Sequence, residues 1–236
     1  MIDVGVPGTF DDHGVVPVSV VKAQDGRVFL YYVGFELCRA VRYRLFTGLA
    51  ISEDNERSFY KPQATPVLER STAELYFRCG SHALYDAGRF RLWCVGGRSW
   101  LELGHKSVPI YDMKYLESED GLTWGSTGKT IMPLDPTREH GFRRPYVVAK
   151  SDGDYEMFYS VRSLEHQNYR LGYATSLDGL SWRRRDSEIG IEPSAEGWDS
   201  EAQCFPAVLS VERQQYMLYN GNNFGESGFG AAIRTG

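Results

Sequence analysis

The sequence predicts an all-β chain, a β-propeller of four-stranded antiparallel blades, and three observations carry that prediction. Aromatic residues make up 14% of the 236 residues, and 25 glycines accompany them, a mix that favours strands and turns over long helices. The segment Ser118-Glu119-Asp120-Gly121-Leu122-Thr123-Trp124 returns as Ser176-Leu177-Asp178-Gly179-Leu180-Ser181-Trp182, and Ser52 to Phe59 is a worn copy of it. Two further elements recur in the same order. One is an aromatic strand: Phe29-Leu30-Tyr31-Tyr32, Arg91-Leu92-Trp93, Glu156-Met157-Phe158-Tyr159 and Tyr216-Met217-Leu218-Tyr219. The other opens each repeat: Val16-Pro17-Val18, Ser81-His82-Ala83, Arg144-Pro145-Tyr146 and Phe205-Pro206-Ala207. A β-sandwich with chance similarity is the competing fold, and the shared order of three separate elements argues against it.

Each repeat reads as four strands. An inner strand follows the opener, and a polar turn such as Lys150-Ser151-Asp152-Gly153-Asp154 leads to the aromatic strand. Next comes a strand of glycine and small residues, Gly48-Leu49-Ala50-Ile51 or Gly172-Tyr173-Ala174-Thr175. The Ser-x-Asp-Gly turn then leads to an outer strand containing Trp. Four-stranded antiparallel units at this period are propeller blades. The repeats span approximately 11–70, 79–135, 142–193 and 201–236 of a single domain, 1–236, with 1–8 as a stray outer strand. That last expectation rests on the likeness of Asp3-Val4-Gly5-Val6-Pro7 to Glu188-Ile189-Gly190-Ile191-Glu192-Pro193. The final repeat stops after its third strand, Gly228 to Ile233. Either the N-terminal strand completes it and closes a four-bladed ring, or the chain is a five-bladed type lacking its N-terminal blade.

Composition excludes several functions. A net charge of -5 is wrong for a sequence-independent nucleic-acid binder, whose footprint is basic. No apolar run approaches the roughly 18 residues of a membrane span, and Met1 to Gly5 is no signal peptide. Cys38, Cys79, Cys94 and Cys204 are scattered, which suits reduced thiols in a cytoplasmic protein. His105, His140 and His166 lack ligand spacing, so no metal is expected. No cofactor is expected either: Gly221 to Gly230 lacks the Lys of a phosphate-binding loop, and no Gly-x-Ser-x-Gly elbow is present.

Antiparallel strands place the starts of the inner strands and the loops after the aromatic strands at one end of each blade, with the Ser-x-Asp-Gly turns at the other. Those turns read as structural, Asp and Gly making the turn and Trp packing between blades. The opposite end gathers the candidates. Inner-strand starts bring Asp11, Asp12 and His13; Arg78, Ser81 and His82; Arg143 and Arg144; and Asp199, Glu201 and Gln203. Loops after the aromatic strands bring Glu36 and Arg39; Arg98 and Trp100; Arg162 and His166; and Asn220, Asn222, Asn223 and Glu226. Carboxylates gathered in a confined funnel push one another's pKa values apart, as an acid and base pair requires. The bland reading is that Asp11 and Asp12 cap a turn while Arg143 and Arg144 pair with acidic residues to hold blades together.

Phe10-Asp11-Asp12-His13-Gly14-Val15-Val16-Pro17, Gly48 to Asp54, Gly197-Trp198-Asp199-Ser200-Glu201 with Cys204-Phe205-Pro206, and Leu218 to Asn222 with Gly228-Phe229-Gly230 together resemble a glycosidase-like family. It comprises the five-bladed propeller proteins of the arabinanase, levansucrase and invertase superfamily, related to family 43 and 32 glycoside hydrolases. The likeness runs over essentially the whole chain. The resemblance implies a further N-terminal blade, which this chain lacks and which in the superfamily supplies one of three active-site carboxylates. It implies Asp12, or Asp11, as base or nucleophile and Glu201 as general acid. Arg144-Pro145 is similar to the superfamily's Arg-Asp-Pro element without its Asp, and His82 stands where relatives more often have Pro.

The leading expectation is therefore a carbohydrate-active protein of glycoside-hydrolase type, in which Arg143, Arg144 and Arg162 grip hydroxyls or an acidic sugar's carboxylate and His13, His82, Trp100, Asn220 and Asn222 line the substrate. Carboxyls about 5 Å apart would mean retention of stereochemistry, and roughly 6.5–9.5 Å inversion. The alternatives are a sugar-binding propeller without catalysis, gripping glycans through Trp100 and Trp198, glycosyl transfer or phosphorolysis on the same carboxylates, and a purely structural interaction propeller. The expected partner is a carbohydrate, with open blade edges left for self-association.

Overall fold

The computed structural model describes residues 2–234. The chain falls into two compact units, Met1–Thr130 and Ile131–Gly236. The first holds the repeat at 11–70 and most of that at 79–135, and the second holds those at 142–193 and 201–236.

In the first unit, β1 (Gly14–Lys22), β2 (Val28–Leu37) and β3 (Tyr43–Ser52) form an antiparallel sheet, and β4 (Arg78–Asp86), β5 (Arg89–Leu103) and β6 (Lys106–Ser118) form the next. The two sheets touch in register only at one parallel bridge, Phe46 to Arg78. They bury their faces on each other. Phe29, Tyr31, Leu49 and Ile51 of the first meet Ala83, Phe90, Leu92 and Leu116 of the second, with the Phe29 and Phe90 rings 4.8 Å apart. Burying each of the larger side chains is worth about 1.5–3 kcal/mol, and this burial holds the sheets together. The division between the units falls within β7 (Lys129–Met132), whose Thr130 accepts a hydrogen bond from Lys114 of β6 at 2.8 Å.

The second unit repeats the plan. β8 (Glu139–Ala149), β9 (Tyr155–Ser163), β10 (Tyr169–Ser176) and β11 (Arg183–Arg184) are successive antiparallel neighbours. β12 (Cys204–Val211), β13 (Gln214–Asn220) and β14 (Phe229–Ile233) make a separate three-stranded sheet. Phe158, Leu171 and Tyr173 pack against Val208, Met217 and Tyr219 to form the core. Among the described residues no helix is long and apolar enough to cross a membrane.

The recurrent glycine strand has a steric cause. Tyr32 faces Gly48 across the ladder, Tyr159 faces Gly172, and Tyr219 faces Gly230. A Cβ at Gly48 or Gly172 would come within 2.3 Å of the facing tyrosine ring, and one at Gly230 within 2.4 Å of the Trp198 ring. The aromatic ring occupies the space that a side chain would need.

A second feature recurs at the start of every inner strand. The ladder register slips between Pro17 and Ser19, Cys79 and His82, Arg143 and Tyr146, and Cys204 and Ala207. Such bulges bend the strand and re-aim its side chains. In three of the four the extra residue is left-handed: Gly80 at φ 65°, Arg144 at 44° and Phe205 at 59°.

The expected outer strand at the N-terminus does not form. Residues 2–6 have no strand pairing. Gly8, at φ 93°, reverses the chain, so that Gly5 N–H donates to the Asp11 carbonyl at 3.2 Å and Lys61 Nζ to the Asp3 carbonyl at 2.7 Å. The backbone groups a ladder would use are thus partly taken by the first unit. Trp124 and Trp182 likewise precede β7 and β11 rather than lying in them; each indole N–H turns back onto its own Ser-x-Asp-Gly turn, at 3.1 Å to the Gly121 carbonyl and 3.0 Å to that of Gly179.

Candidate functional site

Two adjacent carboxylates before β1 have opposite surroundings. Asp11 is 2% exposed. It accepts hydrogen bonds from the Tyr32 hydroxyl at 2.9 Å and Thr9 Oγ1 at 3.0 Å, and ion-pairs with Lys61 at 2.6 Å. Burial and the Asp11 bond push the Tyr32 phenol well above its usual range. Asp11 is thereby committed to holding the turn. Asp12 is open to one side. Its Oδ2 accepts from Gly8 N–H at 2.8 Å and its Oδ1 lies 2.6 Å from His13 Nδ1, on an exposed imidazole. The Gly8 N–H first, and then His13, hold the Asp12 carboxyl below the usual carboxylate range. Asp12 is therefore ionised at neutral pH.

The other candidates of the first unit divide in the same way. Arg78 is built into the structure: its guanidinium pairs with buried Glu74 at 2.7 Å and donates to the carbonyls of Glu69 and Gly125 at 2.8 and 2.6 Å. Ser81 is 2.8 Å from Thr47 Oγ1, and His82 is buried just past the bulge, opposite Trp93. Glu36 lies 3.7 Å from Arg44, and Arg98 lies 3.8 Å from Asp112. Trp100 sits on the projecting β5–β6 hairpin against Tyr43 and Phe77, at ring distances of 6.1 and 5.1 Å, with its buried indole nitrogen lacking a hydrogen-bond partner.

The second unit shows the same pairing of a locked and a displayed carboxylate. Asp199 is 2% exposed and accepts from Gln203 at 2.9 Å and the Tyr219 hydroxyl at 3.2 Å. Burial works against its charge, but hydrogen bonds from Ser194, Gln203 and Tyr219 outweigh it and leave the carboxyl below its usual range. Glu201, two residues on, is exposed, and its backbone is pinned from both sides. Its N–H donates to Asn222 Oδ1 at 2.9 Å, and its carbonyl accepts from Arg170 at 2.7 Å. Asn222 also takes Ala202 N–H at 3.0 Å and donates to the Gly197 carbonyl at 2.9 Å, and Asn220 donates to the Phe224 carbonyl at 2.9 Å. Both asparagines expected to line the substrate are thus occupied by backbone, and Asn222 acts by holding Glu201. They meet in the turn at Asn222–Gly225, where Asn223 and Phe224 are left-handed, with φ 52° and 62°.

Asp11, Asp199 and also Asp186 each accept a hydrogen bond from the tyrosine that covers a repeat glycine, Tyr159 donating to Asp186 at 2.6 Å. This Asp–Tyr–Gly unit leaves no motif in the sequence because its members are spread over 20–40 positions. Lys61 and Arg170 are missed for the same reason, since nothing local marks a residue whose partner is distant in the chain.

Arg144 lies 5.3 Å over the Phe205 ring, and Arg162 5.2 Å over that of Tyr169. Burial foremost lowers the Arg144 pKa, with the charge of Arg143 adding to it and Cys204 opposing it. Among the described residues no group of three or more His, Cys, Asp or Glu side chains is placed to hold a metal ion.

No family model matches the chain. Solved structures similar to it include a thermostable family-43 glycoside hydrolase, at a TM-score of 0.66 with 18% identity over 92% of this chain and 70% of that one. An endo-arabinase from Bacteroides thetaiotaomicron also gives a TM-score of 0.66, with 13% identity over 98% of this chain and 78% of that one. At these identities the likeness is one of fold, and the fold is that of the propeller glycoside hydrolases. In sequence, the Mycobacterium tuberculosis protein Rv1502, designated uncharacterized, is 33% identical over 229 residues, covering 97% of this chain and 74% of that protein. By that identity and coverage, the chain belongs to the family of Rv1502.

Proposed function

We propose that the protein cleaves or remodels a glycosidic bond, with its four repeats as propeller blades, Glu201 as general acid and Asp12 as base or nucleophile. The observation that carries the assignment is the split between paired carboxylates. In each unit a buried aspartate is consumed by structure, while its neighbour in the chain is presented on a fixed backbone. Asp12 is held ionised by Gly8 and His13, so it attacks the anomeric carbon or takes a proton from water. Glu201 delivers a proton to the leaving oxygen. The fold shared with family-43 enzymes supports this reading.

The test is turnover on a panel of aryl glycosides and polysaccharides, with Glu201→Gln and Asp12→Asn as variants. General acid–base groups typically contribute about 10²–10⁴-fold, so each variant should lose at least about 100-fold while keeping its glycan affinity. Unchanged turnover in Glu201→Gln would sink the assignment. Proton NMR of the first-formed anomer then distinguishes retention from inversion.

A second reading, sugar binding without catalysis, is favoured by one observation: Pro145 follows Arg144 directly, with no carboxylate between them. It expects glycan binding by the unaltered protein and no turnover anywhere in the panel.

A further inference from the structure

We infer that Arg144 and Arg162 recognise an anionic group carried on the sugar, a carboxylate or a phosphate ester. The inference rests on the carbohydrate reading above and adds the charge of the substrate. Arg162, the last residue but one of β9, pairs with Tyr169, and its guanidinium lies 5.2 Å over that ring. Arg144 lies 5.3 Å over Phe205. The two rings are themselves in contact, at 5.7 Å, and Phe224 packs on both, at 5.7 and 6.0 Å. The result is a cluster of two arginines on adjoining aromatic rings within the second unit. Stacking occupies the flat face of the Arg162 guanidinium and leaves its in-plane N–H donors for a planar, bidentate acceptor.

Three observations indicate that such an acceptor belongs there. First, Arg162 Nη1 is buried without a hydrogen-bond partner, and so is the neighbouring Tyr169 hydroxyl. Native structures rarely leave buried donors in that condition. Second, Arg162 forms no ion pair among the described residues, whereas Arg184 of the same unit shows what a structural arginine looks like here. The Arg184 guanidinium is forked onto Glu139 at 2.9 and 2.6 Å and also bonded to Asp186. Third, Arg144 holds φ at 44° at the bulge where the second and fourth repeats carry Gly80 and Phe205, also left-handed. A non-glycine residue in that region costs backbone energy, and structures keep such strain where a side chain must be aimed.

The experiment is isothermal titration calorimetry of the full chain. The ligands are glucuronic, galacturonic and mannuronic acids, the matching hexose 6-phosphates, the neutral hexoses, and inorganic phosphate alone. At least one charged sugar should bind ten or more times tighter than its neutral parent. Arg162→Gln and, independently, Arg144→Gln should abolish that preference; thermal melts establish that each variant is folded. Arg162→Lys, which keeps the charge but loses the fork, should restore only part of it. Equal affinity for charged and neutral sugars overturns the inference, as does a preference that survives both glutamine variants, or no binding of any charged member. Inorganic phosphate binding as tightly as the best charged sugar also overturns it, since the anion would then be a free ion rather than part of the sugar. The two readings fail separately. Charged-sugar binding without turnover of any glycoside leaves this inference standing and removes hydrolysis, while turnover of neutral glycosides without a charge preference does the reverse.

Discussion

The two ends of the repeats solve the same problem, how to keep a carboxylate, in opposite ways. At the turn end, Asp120 and Asp178 are satisfied by their own turns with nearly the same geometry. Each takes the hydroxyl two residues before it at 2.9 Å, the N–H two residues on at 2.8 Å and the next N–H at 2.7 Å. The worn copy keeps the plan: Asp54 takes Ser52 at 2.8 Å and both groups of Ser58, while Asn55 and Glu56 supply the positive φ that glycine supplies in the others. At the opposite end Asp12 keeps local partners, Gly8 and His13, but the groups beside it reach far along the chain. Asp11 depends on Lys61, fifty positions away, and Glu201 is held by Asn222 and Arg170. A carboxylate with both oxygens taken inside its own turn is free to repeat and has nothing left to offer. A group held from a distance is unique to its place.

Exchanging amides for acids at the two ends should produce the largest contrast. Asp12→Asn should cost about 100-fold or more in turnover, whereas Asp178→Asn should leave kcat unchanged while lowering the melting temperature. Equal losses at both sites would erase the distinction. Stability should split in the other direction within each pair of neighbours. Removing Asp11 leaves the Lys61 ammonium half-buried and unpaired. Chemical denaturation of Asp11→Ala should therefore show a loss of about 3 kcal/mol, near the lower bound for breaking a buried pair because Lys61 is partly solvated. Asp12→Ala, whose partners are a turn N–H and an exposed histidine, should lose clearly less. Gly172→Ala should cost about 1–3 kcal/mol by forcing the Tyr159 ring aside, while Gly153→Ala meets no neighbour and should lose less, through its φ of 91° alone. A melt series on both variants separates steric from backbone effects.

The smallest effect is in acid. Hydrogen bonds from the N–H groups of Ser181 and Leu180 bring the Asp178 carboxyl down to about 2, and those of Thr123 and Leu122, against the opposing pull of burial, do the same for Asp120. Their folded pKa values lie below the ordinary value of 3.8, so the unfolded chain binds the protons more tightly. The stability they contribute is complete above about pH 4 and drains away as pH falls through about 2. Melting temperature should drop over that window, and the Asp120→Asn variant should drop less steeply. Parallel curves would mean the turns are not where the acid sensitivity lies.

What the sequence shows follows from the same contrast. The turns are readable because all their partners lie within a few residues, and the tyrosine and glycine strands because each recurs in order. Asp11 and Asp12 look interchangeable, since adjacent residues share every local signal; only the fold shows that one faces Tyr32 and the other Gly8. Asn220 and Asn222 read as ligand groups, yet their partners are backbone groups that no local pattern places beside them. The left-handed Arg144 has no sequence mark at all, because the residue that would announce such a conformation is glycine.

The Asp–Tyr–Gly unit has a consequence for how such a chain changes over time. When a segment of this kind is duplicated, the copy arrives with its own fastening: an aspartate, the tyrosine that grips it and the gap that admits the ring. The residue beside the fastening carries no such duty. Glu201 or Asp12 can drift to another side chain without loosening the sheet, so an inherited frame can be handed to a different substrate by altering positions one or two steps from those that must stay.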